Sequence, residues 1–187
     1  MAVERFYGEL GQPAYVRIPS VLDASVDRGL AAAGWTDEGE SLTLIGDLGA
    51  ASGEAALSPS PTSEWLAASD AIAGRGPNQA AVLAAVLARI RVPCAFAEVR
   101  REGTVVALAY GALCDGWLCL EHVATHGDWR RRGLAGQVVG ALMAWGRGQG
   151  GHGVGLQTQA ENMAAQALYR RLGIGRELNR YRYRKKA

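Results

Sequence analysis

The sequence has little of what metal centres and disulfide frameworks are built from. Its three cysteines, Cys94, Cys114 and Cys119, form no CxxC pair, and its three histidines show no recognisable metal spacing. An odd, scattered set of cysteines argues against a disulfide framework or a zinc site and favours a reducing compartment. We therefore expect a cytoplasmic protein that holds no metal.

Long apolar runs and a strong charge imbalance are also missing. The first residues, "MAVERFYGEL", lack the apolar core of a signal peptide. No run approaches the roughly 18 apolar residues of a membrane span. The net charge is only +2, so no general attraction to nucleic acid or membrane is expected. The basic end, "GRELNRYRYRKKA", favours a solvated tail, with a local anion-attracting edge as the alternative.

What is present suits a soluble globule. The chain has 187 residues, of which 49% are hydrophobic and 20% charged, enough for one domain, or one domain with a smaller appendage. Residues 49–63 are rich in small residues, glycine and proline, and they show neither helical nor strand periodicity. This composition predicts a linker or long loop. We therefore divide the chain into 1–48, 49–63 and 64–187.

The later part of the sequence alternates between helices and short strands. A helix is predicted over 78–90, and "PCAFAEVRREG", "TVVALAYGALC" and "WLCLEHVAT" follow as strands. Asp115-Gly116, between the last two, is the strongest hairpin signal in the chain. The three strands should therefore form an antiparallel meander.

A crossover follows the meander. The run from 117 to 160 reads as strand–helix–strand, so its two strands should be parallel. A further helix should begin at Asn162 and end at Gly173, before a final strand. The predicted fold class is therefore α/β (α+β), a mixed sheet with helices packed on it.

The entrance of the crossover helix concentrates positive charge and small residues. "DWRRRGLAGQVVGALMAWG" (128–146) has three arginines beside two glycines. The first backbone N–H groups of a helix lack partners within it, and the helix dipole adds partial positive charge there. Small side chains would let a ligand reach those donors, so the pattern predicts an anion site suited to a pyrophosphate. A solvated turn is the alternative, and the absence of GxxxxGK[ST] disfavours a nucleotide P-loop.

Two motifs then resemble a known family. Arg130-x-x-Gly133-x-Ala135 resembles the acyl-CoA pyrophosphate motif of GNAT-family acyltransferases, (Arg/Gln)-x-x-Gly-x-(Gly/Ala). "NMAAQALYRRLGI" (162–174) is similar to the family's second signature, Asn-x-x-Ala-x-x-Leu-Tyr-x-x-x-Gly-Phe, with Ile174 in place of the usual aromatic residue. The resemblance covers residues 78–187 well.

The resemblance implies a fold and an activity. The implied fold is a mixed, mostly antiparallel central sheet with a parallel splayed strand pair and flanking helices. The implied activity is acyl-CoA-dependent N-acyl transfer by direct attack, with acetyl-CoA as donor, no metal, and an unidentified amine acceptor that is a small molecule or a protein or peptide amine. Residues 64–187 would be the catalytic domain, and a homodimer is compatible with this assignment.

The first 48 residues resemble the end of a degenerate first lobe, as in two-lobed members of the family, with its beginning missing. "FYGELG" (6–11) matches "LYRRLG" (168–173) as apolar-Tyr-x-x-Leu-Gly, and each should end a helix that precedes a strand. We expect "PAYVRI" and "SLTLIG" to pair with each other or to extend the main sheet. Nothing in this segment resembles the cradle motif, so we expect it to bind no cofactor.

The resemblance also implies roles for individual residues. Backbone amides from Arg131 to Gly136 would hold the pyrophosphate, and the side chains of Arg130, Arg131 and Arg132 would add positive charge. The residues of this cradle are Arg130, Arg131, Arg132, Gly133, Leu134, Ala135 and Gly136. The pantetheine arm would bind the main chain of Val123, Ala124 and Thr125. Asn162 would help to place that arm or the next helix. Tyr169 would protonate the departing CoA thiolate, the alternative being a core aromatic residue with a satisfied hydroxyl.

Glu121 is the candidate general base. In a regular strand Trp117, Cys119, Glu121 and Val123 share one face, and Glu121 is the protonatable base of ordinary pKa among them. We expect burial beside Trp117 to raise the pKa of Glu121. The alternative is an ion pair with one of the arginines. His122 should point to the opposite face as a structural residue, and a covalent role for Cys119 is disfavoured.

Rival functions remain at this stage. A non-catalytic acyl-CoA-binding module would share the fold, although Tyr169 and Glu121 argue against it. A nucleic-acid-binding module would explain the arginine clusters, but the chain lacks both a basic net charge and an aromatic–basic pattern. Trp65, Tyr110 and Trp117 are candidate walls of an acceptor pocket, or else core residues.

Overall fold

The computed structural model describes residues 2–186. The helices are α1 (Ala2–Glu9), α2 (Ala24–Ala32), α3 (Ser63–Ala73), α4 (Pro77–Leu87), α5 (Leu134–Gly148) and α6 (Met163–Arg171). The strands are β1 (Ala14–Pro19), β2 (Thr36–Asp47), β3 (Ala56–Ser58), β4 (Cys94–Arg101), β5 (Thr104–Cys114), β6 (Trp117–Thr125), β7 (Gly153–Gln159) and β8 (Arg176–Lys186). A 3-10 turn, Gly127–Trp129, lies between β6 and α5.

Within residues 2–186, eight strands form one sheet in the order β1-β8-β2-β7-β6-β5-β4-β3. The pairs β1/β8, β3/β4, β4/β5 and β5/β6 are antiparallel, and β6/β7 is parallel. This confirms the predicted meander, the parallel pair and the mixed α/β class. "PAYVRI" and "SLTLIG" lie in β1 and β2 and extend the main sheet as predicted, with β8 between them.

The hairpin signal at Asp115-Gly116 is confirmed. Asp115 has φ +49° and Gly116 φ +77°, as a type I′ turn between antiparallel strands requires. A Cβ at Gly116 would lie 2.5 Å from Nε2 of His152, so a side chain there would displace the exposed His152 ring. The turn fixes the register Cys114↔Trp117, from which β6 runs toward the site described below.

The described chain divides into two compact units. The first comprises the described residues of Met1–Leu44, Gln157–Ala167 and Arg176–Ala187. Its core is built on Ala14, Ile18, Leu30 and Trp35.

The basic C-terminal stretch belongs to this first unit, and the expected solvated tail is wrong. The stretch forms β8, paired with β1. Several of its cations lie within ion-pair distance of carboxylates, among them Arg184 with Asp27 at 2.9 Å and Arg182 with Asp37 at 2.8 Å. The cations that are paired in this way are less free to attract an external anion.

The second unit comprises Ile45–Leu156 and Leu168–Gly175. On one face of its sheet, α3 and α4 cover a core of Trp65, Leu87, Phe96, Val105 and Leu108. The helix α5 packs across β4, β5 and β6, burying an apolar stripe that includes residues 138, 139 and 142. Each such side chain contributes about 1.5–3 kcal/mol of burial free energy, which holds α5 in place at the end of β6.

The stretch 49–63 holds more structure than a free linker. It contains β3 and the first residue of α3. Gly53 touches α5 so closely that a Cβ there would lie 2.0 Å from the carbonyl oxygen of Gln137. The division of the chain at 48 and 64 stays a prediction.

Candidate active site

The N-terminus of α5 presents a row of unused backbone donors. Gly133 is the N-cap, with φ +77° and no side-chain cap. Amides 131–136 donate no hydrogen bond to any described residue, and the first helical bond runs from Gln137 N–H to the Gly133 carbonyl at 3.2 Å. Open space surrounds Gly133, since a Cβ there would have no neighbour within 4 Å. Unpaired amides and the helix dipole together form an anion-binding end.

Three arginines flank these amides without carboxylate partners among the described residues. Arg130 Nε donates to the carbonyl of Thr125 at 3.3 Å. The Arg132 guanidinium lies over the ring of Trp129, 4.6 Å from its centroid. Arg131 takes a left-handed conformation, φ +61°. Their charge is therefore free to attract an anion.

The end of β6 has a free edge. β6 pairs with β7 only over Trp117–Cys119, opposite Gly153–Gly155. Beyond that point β6 keeps its pairing with β5, where Ala124 lies opposite Leu108 and Thr125 opposite Ala107. The main chain of Val123, Ala124 and Thr125 therefore borders a side that no paired strand of the described chain fills. The Oγ1 of Thr125 is buried without a hydrogen-bond partner in the described chain.

A β-bulge interrupts β6 beside Glu121. The register shifts between Leu108 and Tyr110 of β5, and His122 has φ +58°. The extra residue breaks the alternation, so Ala124, rather than Val123, packs on the face that Glu121 shares. The expectation that Glu121 and Val123 share a face is wrong for this reason.

The predicted orientation of His122 is wrong for the same reason. Its ring lies 5.7 Å from that of Trp65, and its Nε2 lies 2.7 Å from Oγ of Ser69, so it faces α3. Arg75 joins this contact. Sequence reasoning missed Ser69 and Arg75, because a bulge has no local signature in "WLCLEHVAT" and these contacts depend on tertiary packing.

Glu121 is surrounded by groups that hold their protons. It lies opposite Tyr110 in the β5/β6 pairing, and the Cys119 Sγ lies 3.6 Å from its Oε1. Burial, followed by the charge of Glu121, raises the pKa of Tyr110 to about 12 and that of Cys119 to about 11. Burial and the same charge raise the pKa of Tyr169 to about 12. One carboxylate therefore acts on three protonated neighbours.

Glu121 itself is exposed, so the expected burial beside Trp117 is wrong. No arginine, lysine or histidine of the described chain lies within ion-pair distance of it. The ion-pair alternative therefore has no support, and the carboxylate is open to solvent and to a ligand.

Tyr169 lies on α6 and is only 6% exposed. Its carbonyl ends the helix by accepting from the Ile174 N–H at 2.8 Å. Its hydroxyl makes no hydrogen bond to any described residue, and only burial and the charge of Glu121 act on its pKa. The satisfied core hydroxyl of the alternative interpretation is therefore not observed.

Asn162 caps α6 as predicted. Its Oδ1 accepts from the Ala165 N–H at 3.1 Å. Of the two expected roles for Asn162, this contact supports the placement of the helix.

The three candidate wall aromatics differ in burial. Trp65 is fully buried, its Nε1 donating to the Ala97 carbonyl at 3.1 Å, so it is a core residue. Tyr110 stacks on Phe96 with ring centroids 5.5 Å apart. Trp117 is 41% exposed and stays available to a ligand.

Comparison with known proteins now decides the family. The model of the acetyltransferase (GNAT) family matches residues 62–174. The chain belongs to the GNAT family of acetyltransferases. Both motifs and the free edge of β6 lie within the matched range. The family carries out acyl transfer, and one curated relative is described as an N-acetyltransferase.

Individual relatives support this assignment. The uncharacterized N-acetyltransferase YobR of Bacillus subtilis is 26% identical over 125 residues, which are 66% of this chain and 50% of that protein. The chain thus spans half the length of the curated relative it matches. A GCN5-related N-acetyltransferase from Sphaerobacter thermophilus shares the fold with a TM-score of 0.71 at 20% identity, covering 93% of this chain and 60% of the other.

A further solved structure is that of AAC(6')-Iy in complex with the bisubstrate analogue CoA-S-monomethyl-acetylneamine. It is 19% identical, with a TM-score of 0.50 over 59% of this chain and 82% of the other, which shows likeness of fold. Two further properties of residues 2–186 are plain: none of the helices is both long and apolar enough to span a bilayer, and no three His, Cys, Asp or Glu side chains converge as metal ligands would.

Proposed function

We propose that the protein is an acyl-CoA-dependent N-acyltransferase that moves acetyl from acetyl-CoA to a primary amine by direct attack. The observation that carries this proposal is the row of unpaired amides 131–136 at the N-terminus of α5, in a chain of the GNAT family. Six backbone N–H groups without partners and three arginines without carboxylate partners in the described chain are better explained by a pyrophosphate site than by a solvated turn.

The cofactor would run from this cradle to β6. The amides of Arg131–Gly136 bind the pyrophosphate, and Arg130, held on the Thr125 carbonyl, adds charge beside it. The free edge of β6 at Val123–Thr125 offers main-chain donors and acceptors to the amides of the pantetheine arm. AAC(6')-Iy, a neighbour in fold, is known in complex with an analogue that contains CoA, which supports a CoA ligand here.

Glu121 and Tyr169 then divide the proton transfers. Glu121 accepts a proton from the amine, directly or through a water, as the nitrogen attacks the thioester carbon. A main-chain amide of β6 stabilises the resulting oxyanion. The C–S bond breaks, and the hydroxyl of Tyr169 gives its proton to the departing thiolate. A pKa of about 12 keeps Tyr169 protonated at neutral pH, as this role requires.

The same surroundings disfavour an acyl-cysteine intermediate. A pKa of about 11 keeps Cys119 in its thiol form, and the thiolate is the nucleophilic species. Transfer in one step from thioester to amine agrees with this.

Two measurements on the purified chain test the proposal. Calorimetric titration with CoA and acetyl-CoA measures binding, and release of free CoA thiol from acetyl-CoA with a panel of primary amines measures turnover. Binding with amine-dependent thiol release is the expected result. Binding without release for every amine would indicate a non-catalytic acyl-CoA-binding module instead, and absence of binding would overturn the cradle.

A further inference from the structure

Three polar side chains meet between α3 and β6, and no step of the proposed transfer uses them. Ser69 is fully buried, and its Oγ lies 2.7 Å from Nε2 of His122 and 3.0 Å from Nη1 of Arg75. Nη1 of Arg75 also donates to the Ser69 carbonyl at 3.1 Å, and its Nη2 lies 3.3 Å from Nδ1 of His122. We call Ser69, Arg75 and His122 the His122 anchor.

The guanidinium of Arg75 can only donate, and both ring nitrogens of His122 face it. Nδ1 lies 3.3 Å from Nη2 of Arg75, and Nε2 lies 3.5 Å from Nη1 and Nη2 as well as 2.7 Å from Oγ of Ser69. A second proton on the ring would turn an N–H toward the guanidinium, so the anchor requires a neutral imidazole. Burial and the charge of Arg75 lower the pKa of His122, in agreement, while Asp70, 3.7 Å from Arg75, acts against this shift.

The anchor holds an unusual backbone conformation. His122 has φ +58°, a value that costs a residue other than glycine about 1–3 kcal/mol and persists only where the surroundings enforce it. The ring contact with Trp65, itself fixed to β4 through the Ala97 carbonyl, adds a second restraint. α3 thus determines the shape of β6 at this position.

The bulge lies between the two halves of the proposed reaction centre. Glu121 immediately precedes His122, and Val123–Thr125 immediately follow it. A slip of one residue in a strand turns every later side chain and main-chain group to the other side. Release of His122 from its left-handed conformation would therefore change the direction of Glu121 relative to the main chain of Val123–Thr125.

We propose that Ser69 and Arg75 are positioning residues for acyl transfer, which by fixing His122 in the bulge hold Glu121 and the free edge of β6 in reacting alignment. This inference rests on the proposed function. The cradle amides 131–136 make no hydrogen bond to the anchor, so the anchor acts mainly on the chemical step and affects the binding of CoA only through Val123–Thr125.

Substitution of the anchor tests this directly. Ser69→Ala and Arg75→Gln should each lower kcat by on the order of tenfold to a hundredfold, the loss that a displaced reacting group produces. The dissociation constant for acetyl-CoA, measured by calorimetry, should change by a smaller factor than kcat, because the cradle amides 131–136 are unaltered. Ser63→Ala, on the same helix, and Arg89→Gln, which removes one exposed arginine, are matched controls that should keep wild-type kcat.

His122→Asn separates the anchor from the backbone conformation. Asparagine tolerates a positive φ but is too short to make the same contacts. Its kcat should fall as in Ser69→Ala. The double variant Ser69→Ala/His122→Asn should lose no more kcat than either single variant, because the two residues act as one unit. The ¹⁵N chemical shifts of the His122 ring should show a neutral imidazole in the wild type and a changed balance of its two tautomers in Ser69→Ala, a reading independent of activity.

The outcomes separate this inference from the proposed function. No turnover in the wild type would overturn both. Turnover in the wild type, with unchanged kcat in folded Ser69→Ala and Arg75→Gln, would overturn the positioning role alone, as would additive losses in the double variant. If Ser69→Ala does not fold by circular dichroism, Arg75→Gln decides, since Arg75 is partly exposed and its loss leaves the core intact.

Discussion

Tyr169 combines deep burial with an unpartnered hydroxyl. The hydroxyl oxygen is not among the buried polar atoms of the described chain that lack a partner, so it keeps access to solvent although the ring is buried. The hydroxyl is therefore available to a ligand, and the thiolate leaving group of CoA fits its chemistry.

Tyr169→Phe should preserve acetyl-CoA affinity and lower kcat by about 10²–10⁴-fold, the usual contribution of a general acid. The substitution removes only the proton donor and keeps the aromatic packing. Steady-state kinetics with one amine and calorimetry with acetyl-CoA measure the two effects. Tyr15→Phe in the other unit is the matched control. Equal kcat in Tyr169→Phe and wild type would make Tyr169 a packed aromatic residue only.

Glu121 is open to solvent and free of ion pairs within the described chain. Glu121→Gln keeps its shape and removes its basicity, so it should lower kcat/KM and abolish the acid limb of the pH profile. A profile measured with the same amine for both proteins cancels the ionisation of the acceptor. Glu102→Gln, in an exposed turn, serves as control. A variant profile that superimposes on the wild type would assign the proton transfer to water or to another residue.

The bulge in β6 has a measurable consequence for stability. The pKa of His122 in the folded chain lies below its usual 6.5, so below about pH 6.5 the unfolded chain binds a proton that the folded chain does not. Stability should therefore fall as the pH decreases from 6.5 toward the folded-state pKa.

His122→Asn should reduce this pH dependence, because the titrating ring is gone. Denaturant midpoints measured at pH 7.5, 6.5 and 5.5 compare the two proteins, and His152→Asn controls for loss of a histidine elsewhere. The same decrease in both wild type and His122→Asn would show that His122 is not the group responsible.

At the scale of the whole molecule, local signals predicted most of the fold. Asp115-Gly116 specifies its hairpin by backbone preference alone, and the strand–helix–strand run specifies a parallel pair by chain connectivity. Asn162 identified the start of α6 because a capping side chain acts within one turn.

Non-local features could not be predicted in this way. The place of β2 between β8 and β7 depends on pairings distant in sequence. The bulge at His122 is in contact with Ser69 and Arg75, which lie more than forty positions earlier in the chain. The motifs therefore predicted candidate site residues, whereas the positions of these residues relative to one another came only from the tertiary structure.

The binding of CoA to the N-terminus of α5 is the claim on which the whole account depends. Gly133→Glu places bulk and negative charge among amides 131–136, whereas Gly133→Asn keeps a residue that tolerates positive φ and adds no charge. Gly76→Glu adds the same charge at the N-terminus of α4, where open space also surrounds the residue.

Calorimetric titration of CoA into these proteins is the most direct test. Hydrogen bonds to charged groups contribute about 1.5–3 kcal/mol each, so Gly133→Glu should weaken binding by at least about tenfold. Gly133→Asn should bind more tightly than Gly133→Glu, and Gly76→Glu should match the wild type. Wild-type affinity in a folded Gly133→Glu variant would contradict the account.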